Sequence, residues 1–272
     1  MNLLISVDIE GIAGVVSGEA VSSSHKDYER FRRLMTAEAN AAIEGALAGG
    51  ASRIIVSDSH GDMTNIIIED LHPAAELACG STKPLSMMQG IGPDIDKVFL
   101  VGYHAASGTA AAVLEHTYAG RPIFEVRLNG RALGELGINA ALAGSFDVPV
   151  TLVTGDRATT EEARSLLGDV ETVAVKEGLS RTSALCLNPT LARERISQAA
   201  QRAIGLAGRP FVVPPPITVT VVFQRASYAD MASLIPYSKR LDGRTIEWTG
   251  DDMVTVYRTY RAMLALASTV QT

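Results

Sequence analysis

The stretch Ser6-Val7-Asp8-Ile9-Glu10-Gly11 places two carboxylates directly after an apolar run, Leu3-Leu4-Ile5. That run reads as a short buried strand, and in an extended chain side chains two residues apart share a face. Asp8 and Glu10 are therefore expected to point at one place, just beyond the strand's C-terminal end. Carboxylates held that close repel unless a proton or a cation lies between them. Related endings occur twice more. Arg53-Ile54-Ile55-Val56-Ser57 runs into Asp58-Ser59-His60-Gly61, and Lys97-Val98-Phe99-Leu100-Val101-Gly102 ends at Tyr103-His104-Ala105. The chain has five histidines, and two of them sit immediately after apolar strands. Carboxylates and imidazoles gathered at strand ends are the donors of a metal centre. The competing reading is structural: Asp58 and Ser59 are strong capping types and could tie loops together without a metal. On the metal reading Asp58 stands behind the ligands and orients an imidazole, as carboxylates near metal-bound histidines commonly do.

These residues need a scaffold that ends several strands on one edge. Phe31, Leu34, Met35, Ala42, Ile43, Ala46 and Leu47 recur at helical spacing, which predicts a helix from Asp27 to about Leu47, stopped by Gly49-Gly50. Strand, helix and strand in succession predict a parallel doubly wound sheet, whose ligands lie at its carboxyl edge. Pro122 to Leu128 alternates and runs into Asn129-Gly130, a hairpin signal. Glu135 follows at the head of an Ala-rich helix running towards Phe146. Pro149 to Thr154 and Val170 to Val175 read as strands, with a helix from Arg157 to Leu167 between them that Thr159 or Thr160 would cap. Past about Lys176 the character changes. Ile217 to Phe223 alternates up to Val221, as in an antiparallel sheet with one wet face. Ile246-Glu247-Trp248 reads as its partner, and Thr249 would cap a last helix through Met253, Val256, Tyr260 and Met263. The expected fold class is α/β: a doubly wound, mostly parallel sheet with a smaller C-terminal α+β unit. The expected division is a metal-binding domain at 1–176 and the smaller unit at 177–272.

With 272 residues, 47% of them hydrophobic, the chain can bury a sizeable core. A net charge of −6 argues against nucleic acid or an anionic membrane as partner. No apolar run reaches the roughly 18 residues of a membrane helix. The first apolar stretch ends at two acids without a basic segment before it, so no secretory signal is visible and a cytoplasmic location is expected. Cys79 and Cys186 show no metal or redox spacing and are expected to be buried thiols.

The S-x-D-x-E-G pattern of residues 6–11 resembles the signature of the bacterial D-aminopeptidase family, metallo-aminopeptidases also described as dipeptide-transport proteins. The resemblance continues through Tyr28-Glu29-Arg30, Met35-Thr36-Ala37-Glu38-Ala39-Asn40, Asp58-Ser59-His60 and Lys83-Pro84-Leu85-Ser86-Met87. It extends over Gly102-Tyr103-His104-Ala105, Gly134-Glu135-Leu136-Gly137, Leu179-Ser180-Arg181 and Asp252-Met253. It implies a two-zinc site with ligands at Asp8, Glu10, His60, His104 and Glu135, and a catalytic histidine at His116. Departures such as Gly61-Asp62 after His60 bear on substrate preference. It also implies short peptide substrates with an N-terminal D-residue such as D-Ala, and a ring-shaped homodecamer. Carboxylates and imidazoles without thiolates suit Zn²⁺, with Mn²⁺ or Co²⁺ as substitutes. If Asp8 bridges, three carboxylates against two dications leave one positive charge for a bridging hydroxide to neutralise, and zinc lowers the pKa of bound water to about 7. The sequence leaves open whether His116 moves protons, stabilises an oxyanion or acts as nucleophile. One rival is another binuclear amidase or phosphoesterase, although the strand-end blocks hold none of the basic residues that a phosphate would ask for. The other is a non-catalytic peptide-binding protein serving a transporter, which calls for a signal peptide or lipid-anchor cysteine.

Overall fold

In the computed structural model, which describes residues 1–270, the chain runs β1 (Asn2–Val7), α1 (Tyr28–Ala48), β2 (Arg53–Asp58), β3 (Ala75–Ala78), β4 (Lys97–Tyr103), β5 (Ile123–Leu128), β6 (Arg131–Ala132), α2 (Glu135–Gly144) and β7 (Val150–Asp156). It continues with α3 (Arg157–Leu167), β8 (Glu171–Ser180), β9 (Ser183–Cys186), α4 (Pro189–Gly205), β10 (Ile217–Phe223), α5 (Ala226–Ala232), β11 (Lys239–Arg240), β12 (Thr245–Gly250) and α6 (Met253–Ser268). One sheet has the order β3-β2-β1-β4-β7-β8-β9 and is parallel except for the β8–β9 pair. The other, β11-β12-β10-β5-β6, is antiparallel. Strands β2 and β3 build outwards on one side of β1, while β4, β7 and β8 build on the other. The order therefore reverses between β1 and β4, which opens a crevice at their carboxyl ends.

Side-chain alternation divides the core into two layers. Leu3, Ile5, Val7, Phe99 and Val101 face α1 and α4, packing with Phe31, Met35, Ile43 and Ala199. Leu4, Val98 and Leu100 face the opposite way, towards α2, α6 and the smaller sheet, packing with Leu136, Val219, Val221 and Tyr257. The expected boundary near 176 falls inside β8. Strand β9 and helix α4, beyond it, complete the larger layer, while the β5–β6 hairpin, before it, pairs with β10. The two layers are thus interleaved along the chain.

Two caps differ from expectation. Asp156, with its side chain accepting from Thr159 N at 2.8 Å, caps α3. Asp252 caps α6 in the same way through Thr255 N at 2.8 Å, while Thr249 is held in β12 with its hydroxyl 2.8 Å from that of Thr218. A carboxylate one residue before the first turn outcompetes a threonine already inside an element. Cys79 and Cys186 are exposed and free, not buried. The reason is topological: Cys79 follows β3 and Cys186 ends β9, the two outer strands of the larger sheet. Among the described residues no helix is long and apolar enough to cross a membrane.

Candidate metal centre

Leu4, Ser6 and Asp8 lie on the face of β1 that looks towards α2. Ser6 Oγ sits 2.7 Å from Ser59 Oγ, 2.6 Å from Tyr103 Oη and 2.9 Å from the Met87 carbonyl, so this one hydroxyl joins three strand ends. Strand β1 ends at Val7 and the chain then turns, with Ile12 N donating to Ile9 O at 3.1 Å. Glu10 therefore reaches the site from a turn, not from an extended strand. The turn is pressed against β4: Gly11 N donates to Gly102 O at 2.7 Å, and a Cβ on Gly11 would lie 2.0 Å from the Tyr103 carbonyl. Only glycine permits that approach.

Two buried charged residues pin the turn from behind. The Lys176 ammonium donates to the carbonyls of Glu10, Ile12 and Val15, and Glu38 accepts from Ala13 N at 2.9 Å. Burial pushes the Glu38 carboxyl up to about 7, and its other oxygen has no partner. Between its ordinary value of 4.5 and about 7, the folded chain holds a proton that the unfolded chain has released. Stability conferred by that proton is full below 4.5 and is lost as pH rises through 7. Glu38→Gln keeps the acceptor and cannot ionise, so its stability relative to wild type should rise by about 3 kcal/mol between pH 4 and pH 8. Urea unfolding at both pH values checks this; parallel curves for the two proteins would contradict it.

The register of β2 settles the place of Asp58. It pairs with Val7, so it shares Val7's face, against α1, and points away from Asp8. Its oxygens accept from Asn65 N at 2.6 Å, Ile66 N at 2.7 Å and Asn65 Nδ2 at 2.8 Å. It touches no imidazole ring and instead ties the loop that carries His60, since Asn65 Nδ2 also donates to His60 O at 2.7 Å. The expectation that Asp58 orients a ligand imidazole is corrected accordingly.

The six other residues singled out in the sequence meet in one cleft of about 150 Å³, bordered also by Ser59, Met87, Tyr118 and Arg261, with His104 buried beneath it. His60 Nδ1 is 3.0 Å from Glu10 Oε2 and 3.4 Å from Asp8 Oδ1. His104 Nε2 is 3.2 Å from Glu135 Oε1 and 3.6 Å from Asp8 Oδ2. His116 stacks on His104 with ring centroids 4.0 Å apart, its Nε2 3.6 Å from Glu135 Oε1. A carbonyl only accepts, so the ring nitrogens facing carbonyls carry protons: His60 Nε2 towards Val21 O, His104 Nδ1 towards Ala105 O and His116 Nδ1 towards Leu114 O. That leaves His60 Nδ1, His104 Nε2 and His116 Nε2 as the atoms aimed inwards.

Without a cation, protons balance this cluster. Burial, then the Glu10 charge, pushes Asp8 up to about 8. Burial opposes charge on His104, but Glu135, Asp8 and Glu10 outweigh it and hold the imidazole at about 10. Burial likewise opposes charge on His60, and Glu10 and Asp8 overcome it, raising its pKa. His116 goes the other way, its pKa lowered by burial and then by the neighbouring His104.

A family model described as D-aminopeptidase, peptidase M55, matches residues 1–262. The D-aminopeptidase of Bacillus subtilis (strain 168) is 37% identical over 273 residues, covering 98% of both chains. The chain belongs to the D-aminopeptidase family. A solved D-aminopeptidase structure, the Zn-dependent DppA from Bacillus subtilis, described as a self-compartmentalizing protease, superposes with a TM-score of 0.96 at 34% identity over 100% of both chains.

The donors of this D-aminopeptidase family member fit a metal. His104 Nε2 is buried and has no hydrogen-bond partner, although two carboxylates stand beside it. An imidazole nitrogen orphaned among carboxylates is costly unless something positive completes it. Donor atoms of Asp8, Glu10 and His104 lie within 4.8 Å of one another, and so do those of His104, His116 and Glu135. Residues that sequence reasoning did not select include Lys176, Asn65, Tyr118 and Arg261. The first two act through backbone contacts that no motif announces. Tyr118 N donates to Glu135 Oε1 at 2.6 Å, and Arg261 comes from α6, far along the chain.

Proposed function

We propose that the chain is a zinc-dependent aminopeptidase that removes the N-terminal residue, D-alanine in particular, from short peptides. Asp8, Glu10, His60, His104 and Glu135 would hold two zinc ions, and the same donors suit Mn²⁺ or Co²⁺. The observation that carries this reading is the convergence of buried carboxylates on two inward-facing imidazole nitrogens, one of them orphaned. Asp8 would be the ligand shared by the two ions, since its Oδ1 faces His60 and its Oδ2 faces His104. When bound, zinc supplies a Lewis acid for the peptide carbonyl and lowers the pKa of water to about 7. Binding of zinc would displace the protons held by Asp8, His60 and His104, so affinity should fall as pH falls.

His116 is the proton carrier. The Leu114 carbonyl fixes its Nδ1 proton, so Nε2 faces the cleft with a free lone pair. From there it accepts a proton during attack and delivers it to the leaving amine. Family membership and the full-length likeness to D-aminopeptidases support the reaction and its stereochemistry. The likeness to a self-compartmentalizing relative supports assembly into a homo-oligomer, for which we infer a ring of ten. Two exposed free thiols suit a reducing, cytoplasmic compartment. The test is to offer the zinc-loaded protein paired D-alanyl and L-alanyl dipeptides and to measure release of the N-terminal residue. Release from the D-peptide is expected; release from neither would overturn the aminopeptidase reading.

A further inference from the structure

Arg261 has no part in the chemistry described so far. It projects from α6 into the cleft and borders it together with Glu10, His116, Tyr118 and Glu135. Its guanidinium lies over the Tyr118 ring, 5.0 Å from the centroid. Unlike the exposed arginines that lack an ion pair, it is half-buried and shares its cleft with carboxylates. Arg261 has none within ion-pair distance among the described residues, although three carboxylates share its cleft. Those three are turned towards the imidazoles instead.

A half-buried guanidinium without a counter-charge loses hydration that the Tyr118 ring repays only in part. Stacking on an aromatic face holds its plane while leaving the in-plane N–H groups free to fork onto an anion. The platform is itself fixed. Tyr118 Oη lies 2.7 Å from Asn139 Oδ1 and 2.9 Å from Tyr257 Oη, and its backbone amide is the one bonded to Glu135. The site therefore presents a pre-oriented anion receptor in the same cleft as the inward-facing donors.

Resting on the aminopeptidase reading above, we infer that Arg261 receives the free C-terminal carboxylate of the substrate and so favours dipeptides. In a dipeptide that carboxylate lies one residue beyond the scissile bond, about 3.3 Å further along an extended chain. A guanidinium–carboxylate fork is strong and directional, so a substrate lacking the charge leaves the fork empty.

The test compares D-alanyl-D-alanine with its C-terminal amide, using wild type, Arg261→Met and Arg261→Lys loaded with zinc. Both replacements are good helix formers, so α6 should persist. Wild type should prefer the free acid by about 10- to 100-fold in kcat/KM, the range for a charge-assisted bond. Arg261→Met should abolish that preference through KM on the acid, leave the amide nearly unchanged, and keep kcat. Arg261→Lys should retain part of it. Equal losses on acid and amide would mean that Arg261 only supports the cleft, and would overturn the inference. So would a wild type indifferent to the carboxylate. Calorimetry with the same pair carrying a reduced, uncleavable peptide bond reads the carboxylate contact alone. Should wild type hydrolyse neither peptide, the aminopeptidase reading fails, while the calorimetric acid-to-amide ratio still decides the role of Arg261.

Discussion

His116→Ala is expected to lower turnover by about 10²- to 10⁴-fold while the zinc content of the purified protein stays at the wild-type level. The expectation follows from where the ring sits. Its Nε2 lies 3.6 Å from Glu135 Oε1, and the ring stacks flat on His104 with 13° between planes. A stacked ring with its Nδ1 tied to Leu114 O presents one nitrogen to the cleft and keeps it there. Its donor atom nevertheless lies close enough to those of His104 and Glu135 to act as a ligand. Measuring metal and turnover on the same sample separates the two roles. Loss of zinc in His116→Ala would move His116 from proton carrier to ligand, and wild-type kcat would remove it from the chemistry altogether.

Asp8→Ala should lose zinc and activity together. Asp8 stands between the two halves of the site, and its Oδ1 also accepts from Ile9 N at 2.8 Å, which fixes the carboxylate plane. Removing an outer partner of a ligand typically costs 10- to 100-fold in metal affinity. Removing the shared ligand should cost more, with turnover falling at least as far as in His116→Ala. The variant should still fold, because burial pushes the metal-free Asp8 carboxyl up to about 8 and so penalises its charge near neutral pH. Zinc quantification after dialysis, with circular dichroism as the folding control, checks both statements. Retained zinc with lost activity would show that Asp8 is not the bridge.

The sequence was informative where the candidate site coincides with a strand end. Apolar runs that stop at acids or histidines picked out Asp8, His60 and His104, which the fold brings together at one cleft. Alternation along a strand says nothing about which residue of β2 lies beside Val7. That register puts Asp58 on the α1 face, and it is a property of pairing, not of local sequence. Glu10 reached the right place by a turn that alternation does not describe. Glu135 and His116 carry no local signature at all. One opens α2 and the other lies in the long β4–β5 connection, so only the family resemblance could select them. Helix α4 was legible in principle, from Asn188-Pro189 at its start and buried Ala192, Ile196, Ala199 and Ala203 at helical spacing. The interleaving of the two layers was not, because pairing of β5 with β10 joins segments far apart in the chain.

The most direct test of the central claim is to strip the metal from wild type and from Asp8→Ala with a chelator, then return zinc stepwise while following hydrolysis of D-alanyl-D-alanine. Stripped wild type should be inactive and should regain full turnover as bound zinc rises to about two ions per chain, while Asp8→Ala stays inactive throughout. Turnover by stripped wild type, or its recovery in Asp8→Ala at the same zinc concentrations, would contradict a two-zinc site bridged by Asp8.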